Sequence, residues 1–221
     1  MKPILKMAIV VLPLLPTTSV YARDAGWIVD KPAFDIPAEL IVIADNICQS
    51  ALQNPRVPVM ELQSILDTES RAIHVALQDP QTLDQAVARA AALRDRLGPL
   101  ERLPSVELQF VLAMLAERTH DDAALHLYRA TGQVLLARME VRGLGQSSEE
   151  ALRPCLIENE YSWLQIRANF SKHHSQRVET EDGRAFDVLE IDDAQGQRRT
   201  VYFDVTPLFE AYDRAPGNRG N

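Results

Sequence analysis

The chain has 221 residues, with 23 lysine and arginine residues against 31 aspartate and glutamate residues, and its formal net charge at pH 7 is −8. This acidic balance argues against nucleic-acid binding, which needs a basic surface, and favours attraction of a basic protein partner. The length suits one domain or two small ones with a sizeable buried core.

The first 22 residues have the pattern of a secretory signal peptide. Lys2 and Lys6 form a short positive region, and an apolar run of signal-peptide length follows from Met7 to Leu15. The small residues ending at Ala22 predict cleavage after that position. Removing only two lysines and no acid changes the formal charge from −8 to −10. Since no run is long enough to span a membrane, the predicted location is the periplasm or the exterior.

Apolar residues recur at helical spacing through most of residues 35–170, which predicts five or six helices. Helix starts are indicated by capping residues or capping-box pairs at Asp35, Thr82 with Gln85, Ser105, and Ser147 with Glu150. A further helix is predicted from about Asp122, because acids in its first turn complement the helix dipole. The helix after Ser105 is apolar nearly all round, so it should be the most buried. Gly132 is expected to be a point at which the helix from Asp122 could divide.

The sequence changes character near Pro154, which should end the short helix predicted from Ser147. A short strand is expected from Cys155 to Ile157, followed by a helix from Glu160 to Ala168. Beyond residue 175 the pattern becomes that of β-strands. These strands are predicted at Gln176 to Glu181, Ala185 to Ile191, and Arg199 to Val205.

Two turn signals separate these strands, namely Asp182-Gly183 and a longer loop that contains Gly196. The middle strand has apolar residues on both faces, so it should be central. The predicted fold is therefore α+β, with a helical bundle (residues 35–170) packed on a small C-terminal antiparallel sheet (175–206). A single domain is expected over residues 23–213, with a disordered tail at 214–221.

The chain contains two cysteines, Cys48 and Cys155. In an oxidising compartment they could form a disulfide. The alternative is a pair of buried, unpaired thiols on apolar faces. The sequence leaves both alternatives open, because the separation of the two side chains cannot be determined from it.

Several short motifs fall between His120 and Val205. They are Gly143-Leu144-Gly145-Gln146-Ser147, Leu156-Ile157, Glu160-Tyr161, Gly183, Phe186-Asp187 and Tyr202-Phe203-Asp204. This series resembles an uncharacterised family of exported bacterial proteins, a domain of unknown function. Phe186 and Asp204 stand where the family more often has tyrosine and asparagine. The resemblance implies export, a helical N-terminal part and a short C-terminal sheet, and it implies no activity.

Acidic and aromatic side chains near the predicted sheet are the candidate binding residues. They are Glu160, Tyr161, Trp163, Asp187, Tyr202 and Asp204. Carboxylates at Glu158, Glu160, Asp187 and Glu190 should also cluster there. Paired carboxylates can perform acid–base chemistry, including glycoside cleavage. The alternative is that they are solvated acids of an acidic protein.

No cofactor or metal site is predicted. The adjacent pair His173-His174 is interpreted as part of a solvated loop, because neighbouring residues rarely bind one ion and no further ligand has suitable spacing. There is also no nucleophile motif with a base in its sequence context.

The preferred interpretation is an exported, non-enzymatic binding protein of the bacterial envelope. A specific version is an immunity-type inhibitor of a basic secreted toxin. One alternative is a carboxylate-dependent hydrolase of cell-wall glycan that uses residues around Glu160 and Asp187. Another is a structural component that self-associates through an edge strand at Arg199 to Val205. The sequence leaves the oligomeric state open.

Overall fold

The computed structural model describes residues 36–53 and 57–214. The predicted signal peptide, the predicted cap Asp35 and all but the first residue of the predicted tail lie outside these ranges. Within them, seven α-helices accompany one three-stranded antiparallel sheet near the C-terminus, which confirms the α+β prediction. None of the helices in the described ranges is both long enough and apolar enough to cross a membrane.

Five helices form the helical body, and two shorter ones lie beside the sheet. The body consists of α1 (Ala38–Gln53), α2 (Val59–Leu77), α3 (Leu83–Leu97), α4 (Val106–Arg118) and α5 (Asp122–Met139). The short helices are α6 (Glu158–Trp163), which continues as a π-helix over Leu164–Ala168, and α7 (Thr206–Asp213). The strands are β1 (Lys172–Glu181), β2 (Arg184–Asp192) and β3 (Arg198–Asp204).

Helix α4 lies in the core of the helical body, as its nearly continuous apolar sequence predicts. Eight of its thirteen residues are buried, among them Leu108 and Leu112. The Ser105 hydroxyl accepts a hydrogen bond from the Leu108 N–H at 3.0 Å, which confirms the predicted N-cap. Because this N–H would otherwise have no partner in a buried helix terminus, the cap allows α4 to begin inside the core.

The predicted division of α5 at Gly132 was wrong, because the helix is continuous through that residue. A methyl group at Gly132 would lie 3.1 Å from two ring atoms of Phe110 on α4. Gly132 therefore allows α4 and α5 to pack closely. The helix continues through this position despite the low helix propensity of glycine.

The predicted capping box at Thr82 was also wrong. Its hydroxyl donates to the backbone oxygens of Ala76 and Asp79, and it accepts no hydrogen bond from α3. A 3₁₀ turn at Pro80–Thr82 precedes α3, and the Asp79 carboxylate caps this turn by accepting from the Gln81 N–H at 2.9 Å. Pro80 fixes the start of the turn, so the cap falls three residues earlier than predicted.

In the sheet, β2 lies between β1 and β3 and is antiparallel to both. This confirms that the strand with two apolar faces is central. Asp182 and Gly183 have φ values of 50° and 74°, as the predicted tight turn between β1 and β2 requires. β1 begins at Lys172, earlier than predicted, so His173 and His174 lie in the strand and the loop prediction for them was wrong. Pairing of Lys172 with Asp192 explains the extension.

The segment at residues 143–157 contains neither the predicted helix from Ser147 nor the predicted strand from Cys155. Positive φ values at Gly143 (152°) and Gly145 (77°) keep its backbone out of the helical region. The segment pairs instead with the edge of β3. The Leu152 N–H donates to the Tyr202 oxygen at 3.0 Å, and the Tyr202 N–H donates to the Gly145 oxygen at 2.9 Å.

A disulfide joins Cys48 on α1 to Cys155, with a Cα–Cα distance of 5.3 Å and a sequence separation of 107. Both residues are fully buried. The sequence leaves open whether the two cysteines form a disulfide or remain unpaired thiols. In the structure they form the disulfide. It holds the first described helix against the chain that enters α6, and so it links the helical body to the part beside the sheet.

Candidate functional site

The pairing register places the candidate binding residues on opposite faces of the sheet. Asp187 pairs with Phe203, and the next residue of β2, Val188, pairs with Tyr202. Because successive strand residues point to opposite faces, Asp187 faces the helices while Tyr202 and Asp204 face the other way. We call these the inner and outer faces. Glu160, Tyr161 and Trp163 reach the inner face from α6.

On the inner face, Glu160 and Asp187 form a buried carboxyl pair, with 0% and 4% of each residue exposed. Both Glu160 oxygens and Asp187 Oδ1 lack a hydrogen-bond donor among the described residues. Burial raises the pKa of Glu160 well above its ordinary value, and the charge of Asp187 and a hydrogen bond to Asp187 raise it further. The neighbouring carboxyl group of Asp187 therefore disfavours ionisation of Glu160, as a like charge in a buried site does.

A chain of hydrogen bonds connects this carboxyl pair to the surface beside β1. Asp187 Oδ2 accepts from Gln176 Nε2, and Gln176 Oε1 accepts from the Tyr161 hydroxyl at 2.7 Å. Tyr161 is 38% exposed, and its ring meets that of His173 edge-on at 6.4 Å. Partial burial raises the pKa of Tyr161, and the charges of Glu160 and Asp187 add to this effect. The chain therefore joins a partly exposed aromatic ring to the buried pair.

Trp163 belongs to the core. It is fully buried, its ring nitrogen donates to Glu140 Oε1 at 2.9 Å, and its ring packs edge-on against Phe203 at 6.2 Å. Arg167 donates to the same Glu140 oxygen at 2.9 Å. Trp163 thus anchors α6 between α5 and the sheet. This corrects the expectation that Trp163 is a binding residue, since a partner cannot reach it in this conformation.

On the outer face, Tyr202 packs with Ala151, Phe186 and Val188 in a small second core. This arrangement follows from the sequence of β2, whose second apolar face needs a cover, and the segment that pairs with β3 supplies Ala151. Tyr202 retains partial exposure. The register therefore gives it a packing role beside the sheet, away from Glu160.

Asp204 lies at the end of β3 with three arginines around it. Its Oδ2 is 2.9 Å from Arg184, 3.5 Å from Arg142 and 3.9 Å from Arg153. Burial alone would raise the pKa of Asp204, but hydrogen bonds from Thr206 and Arg184 and the charge of Arg184 outweigh burial and hold the pKa below its ordinary value. Asp204 is therefore ionised and is the centre of a basic cluster.

The four carboxylates expected to cluster do so only in part. Glu160 and Asp187 meet, whereas Glu190 pairs with Arg177 at 3.2 Å on the outer face. Glu158 points toward α4, and burial of its carboxylate raises its pKa to about 7. The charges of Glu107 and Asp67 also raise this pKa, and the Ser105 hydroxyl acts in the opposite direction.

Four site residues were not predicted, namely Gln176, Arg142, Arg153 and Arg184. The alternation of β1 and β2 could have placed Gln176 on the inner face and Arg184 on the outer face. No sequence signal marks the approach of Arg142 and Arg153, because it depends on the irregular segment beside β3. His174, in turn, forms an ion pair with Asp192 at 2.7 Å when protonated.

Comparison of the chain with protein-family models, with curated proteins and with solved structures found no match.

Proposed function

We propose that the protein is an exported, non-enzymatic binding protein of the bacterial envelope. Its partner adds an extended, basic segment to the edge of β1 that does not pair with β2. The predicted signal peptide ending at Ala22 and the resemblance to an exported family support the location. The geometry of the sheet supports the mode of binding.

The observation that carries the proposal is the open edge of β1. The edge of β3 is paired with the segment around Gly145 and Leu152, which removes the edge considered for self-association in the sequence analysis. Within the described ranges, no strand or backbone segment pairs with the other side of β1. β1 is ten residues long and mostly exposed, and Val178 is 57% exposed. An open edge of this length is a template for a further strand.

The acidic residues at the end of β1 favour a basic partner for this edge. The end of β1 and its turn carry the exposed acids Glu181 and Asp182 and the partly exposed Glu179, which also pairs with Arg177 at 2.7 Å, and the whole chain has a formal charge of −8. Opposite charges on neighbouring strands stabilise pairing, and like charges oppose it. A segment with lysine or arginine opposite Glu179 and Glu181 is therefore favoured. An immunity-type inhibitor that binds a basic toxin is the specific form of this proposal.

Hydrolysis by the carboxyl pair is less well supported by the geometry. Glycan cleavage requires two carboxyl groups that contact the sugar from either side. Glu160 and Asp187 are buried and lie beneath Gln176, so a glycan cannot contact them in this conformation. The same pair supports the binding proposal, because it fixes Gln176 and thereby the course of β1.

A peptide-binding measurement tests the proposal. The probes are an alternating Val-Lys peptide and an alternating Val-Glu peptide of equal length, each measured by fluorescence anisotropy at low salt. We expect the Val-Lys peptide to bind and the Val-Glu peptide to bind much more weakly. The double variant Glu179→Gln/Glu181→Gln should weaken Val-Lys binding by about tenfold, since it removes two favourable cross-strand pairs. Hydrogen exchange should show new protection in β1.

The matched control is Glu101→Gln/Glu117→Gln, which removes the same charge from the helical body. Equal affinity for the two peptides, or protection outside β1, would contradict the proposal. A dimer of the free protein in light scattering, with β1 protected at its interface, would also contradict it, because a second copy would then occupy the edge.

A further inference from the structure

The cluster of Arg142, Arg153 and Arg184 on the outer face carries more positive charge than its one acid can neutralise. Asp204 is the single carboxylate among the described residues that forms an ion pair with any of the three. Three guanidinium cations and one carboxylate leave two positive charges in one place. On a chain of formal charge −8, this local excess is the reverse of the overall balance.

The three guanidinium groups are available to solvent. Their side chains are 42%, 35% and 33% exposed, in the order Arg142, Arg153 and Arg184, whereas Asp204 is 4% exposed. A guanidinium group has five N–H donors, and Asp204 accepts one hydrogen bond each from Arg142 and Arg184. Most donors of the cluster are therefore left for another acceptor.

Two contacts hold the cluster in place before any ligand arrives. The guanidinium carbon of Arg184 lies 4.6 Å from the ring centroid of Phe186, a cation–π geometry. The backbone N–H of Arg153 donates to the Met139 oxygen at 3.1 Å. The Arg153 Nε is buried without a hydrogen-bond acceptor, since Asp204 is too distant at 3.9 Å. A buried charged donor without an acceptor is costly, and an anion could supply one.

We propose that Arg142, Arg153 and Arg184 form a binding site for a small soluble phosphate or phosphate monoester. A dianion would neutralise the two excess charges, and planar guanidinium groups match the oxygen atoms of phosphate in paired hydrogen bonds. Asp204 keeps the three arginines close together in the absence of ligand. The site lies on the outer face around Asp204, and Arg184 is the strand partner of Glu181 on β1, so its test uses inorganic phosphate and no peptide.

The test uses the full mature chain and inorganic phosphate, with binding followed by isothermal titration calorimetry at constant ionic strength. We expect saturable binding, and about tenfold weaker binding for each of Arg142→Gln and Arg184→Gln, because each change removes one charge-assisted contact. Asp204→Asn should have the opposite effect and bind phosphate more tightly, since it raises the local positive charge. Arg118→Gln, at an exposed position of α4, is the matched control and should bind as the wild type does.

The charge of the ligand provides a second readout that does not depend on variants. A phosphate monoester gains a proton near about pH 6, whereas sulfate remains a dianion. Between about pH 8 and about pH 5, affinity for glycerol phosphate should therefore fall while affinity for sulfate is retained. Circular dichroism will show whether each variant is folded, and Arg142→Gln, which removes the longer of the two hydrogen bonds to Asp204, is the variant least expected to unfold.

Three outcomes would contradict the proposal of a phosphate-binding site. One is the absence of phosphate binding to the wild type. Another is that folded Arg142→Gln and Arg184→Gln bind as the wild type does, in which case the cluster only fastens the 143–153 segment to Asp204. The third is binding to phosphatidic acid vesicles without binding to inorganic phosphate, which would exclude a soluble ligand.

Discussion

At the scale of single residues, the buried pair of Glu160 and Asp187 makes a prediction about substitution. Glutamine at position 160 fills the same buried volume without a charge beside Asp187, whereas alanine leaves a cavity there. We expect Glu160→Gln to keep wild-type stability near pH 6 and Glu160→Ala to lose about 2–4 kcal/mol. Urea unfolding of the two variants measures this difference. Equal losses in both would show that the carboxyl group of Glu160, and not the volume it fills, contributes the stability.

Glu158 makes a separate prediction about pH. Its pKa rises from 4.5 to about 7 on folding, so the unfolded chain releases this proton first as the pH increases. The stabilisation is complete below pH 4.5 and is lost as the pH rises toward 7, by up to about 3 kcal/mol. Glu158→Gln should therefore lose less stability than the wild type over this range. Chemical unfolding at several pH values measures the effect.

The control for Glu158 is Glu117→Gln, which removes an acid from an exposed position near the end of α4. It should follow the wild-type pH profile. If Glu158→Gln also follows that profile, the carboxyl group of Glu158 is ionised in the folded protein at neutral pH and the burial argument fails.

At this scale the sequence predicts which residue types lie near the sheet better than it predicts the surroundings of each side chain. It placed Glu160 and Asp187 near one another because both lie close to the predicted sheet. It could not establish their burial, since the residue that covers Asp187 is Gln176 on another strand. Trp163 shows the same limit, because its core position depends on Glu140 and Phe203, which are distant in sequence.

At the scale of elements, the segment beside β3 depends on Gly145. Its φ of 77° disfavours any side chain, and a methyl group there would lie 3.0 Å from Leu152 and Val201 side chains. Gly196 has a similar φ of 75° but open space around it. Gly196→Ala should cost only the backbone strain, about 1–2 kcal/mol. Gly145→Ala should cost about 1–3 kcal/mol more because of crowding.

Thermal unfolding of both glycine variants tests this comparison, with the wild type as reference. Because both positions share the left-handed backbone conformation, the difference between them isolates the contacts of Gly145. Equal destabilisation would mean that the segment is not packed against β3 as the structure has it.

The elements that sequence reasoning predicted well are those with local causes. The turn at Asp182-Gly183 and the central position of β2 follow from backbone preferences and from alternation within a few residues. The prediction for residues 143–157 was wrong because this segment pairs with β3, which lies about fifty positions later in the sequence. Its Ser147–Glu150 pattern does form a hydrogen bond, with the Glu150 N–H donating to Ser147 Oγ at 3.3 Å, but this bond closes a turn and starts no helix.

At the scale of the whole molecule, the disulfide is the one covalent link between α1 and the chain entering α6. Cross-linking two positions 107 apart restricts the unfolded chain, which should contribute about 4–5 kcal/mol to stability. This is a large share of the roughly 5–15 kcal/mol that stabilises a typical domain. The predicted export to an oxidising compartment and this dependence are consistent with one another, since disulfides form and persist in such compartments.

Reduction of the wild-type protein should therefore lower its unfolding free energy by about 4–5 kcal/mol, as measured in urea with and without a thiol reductant. The variant Cys48→Ala/Cys155→Ala should have the lowered stability under both conditions, and the reductant should not affect it. Because Cys48 and Cys155 are fully buried, reduction in the native state should be slow, and the loss should develop only as the protein unfolds. Equal unfolding curves for oxidised and reduced wild type would show that packing around α1, and not the bond, holds the two parts together.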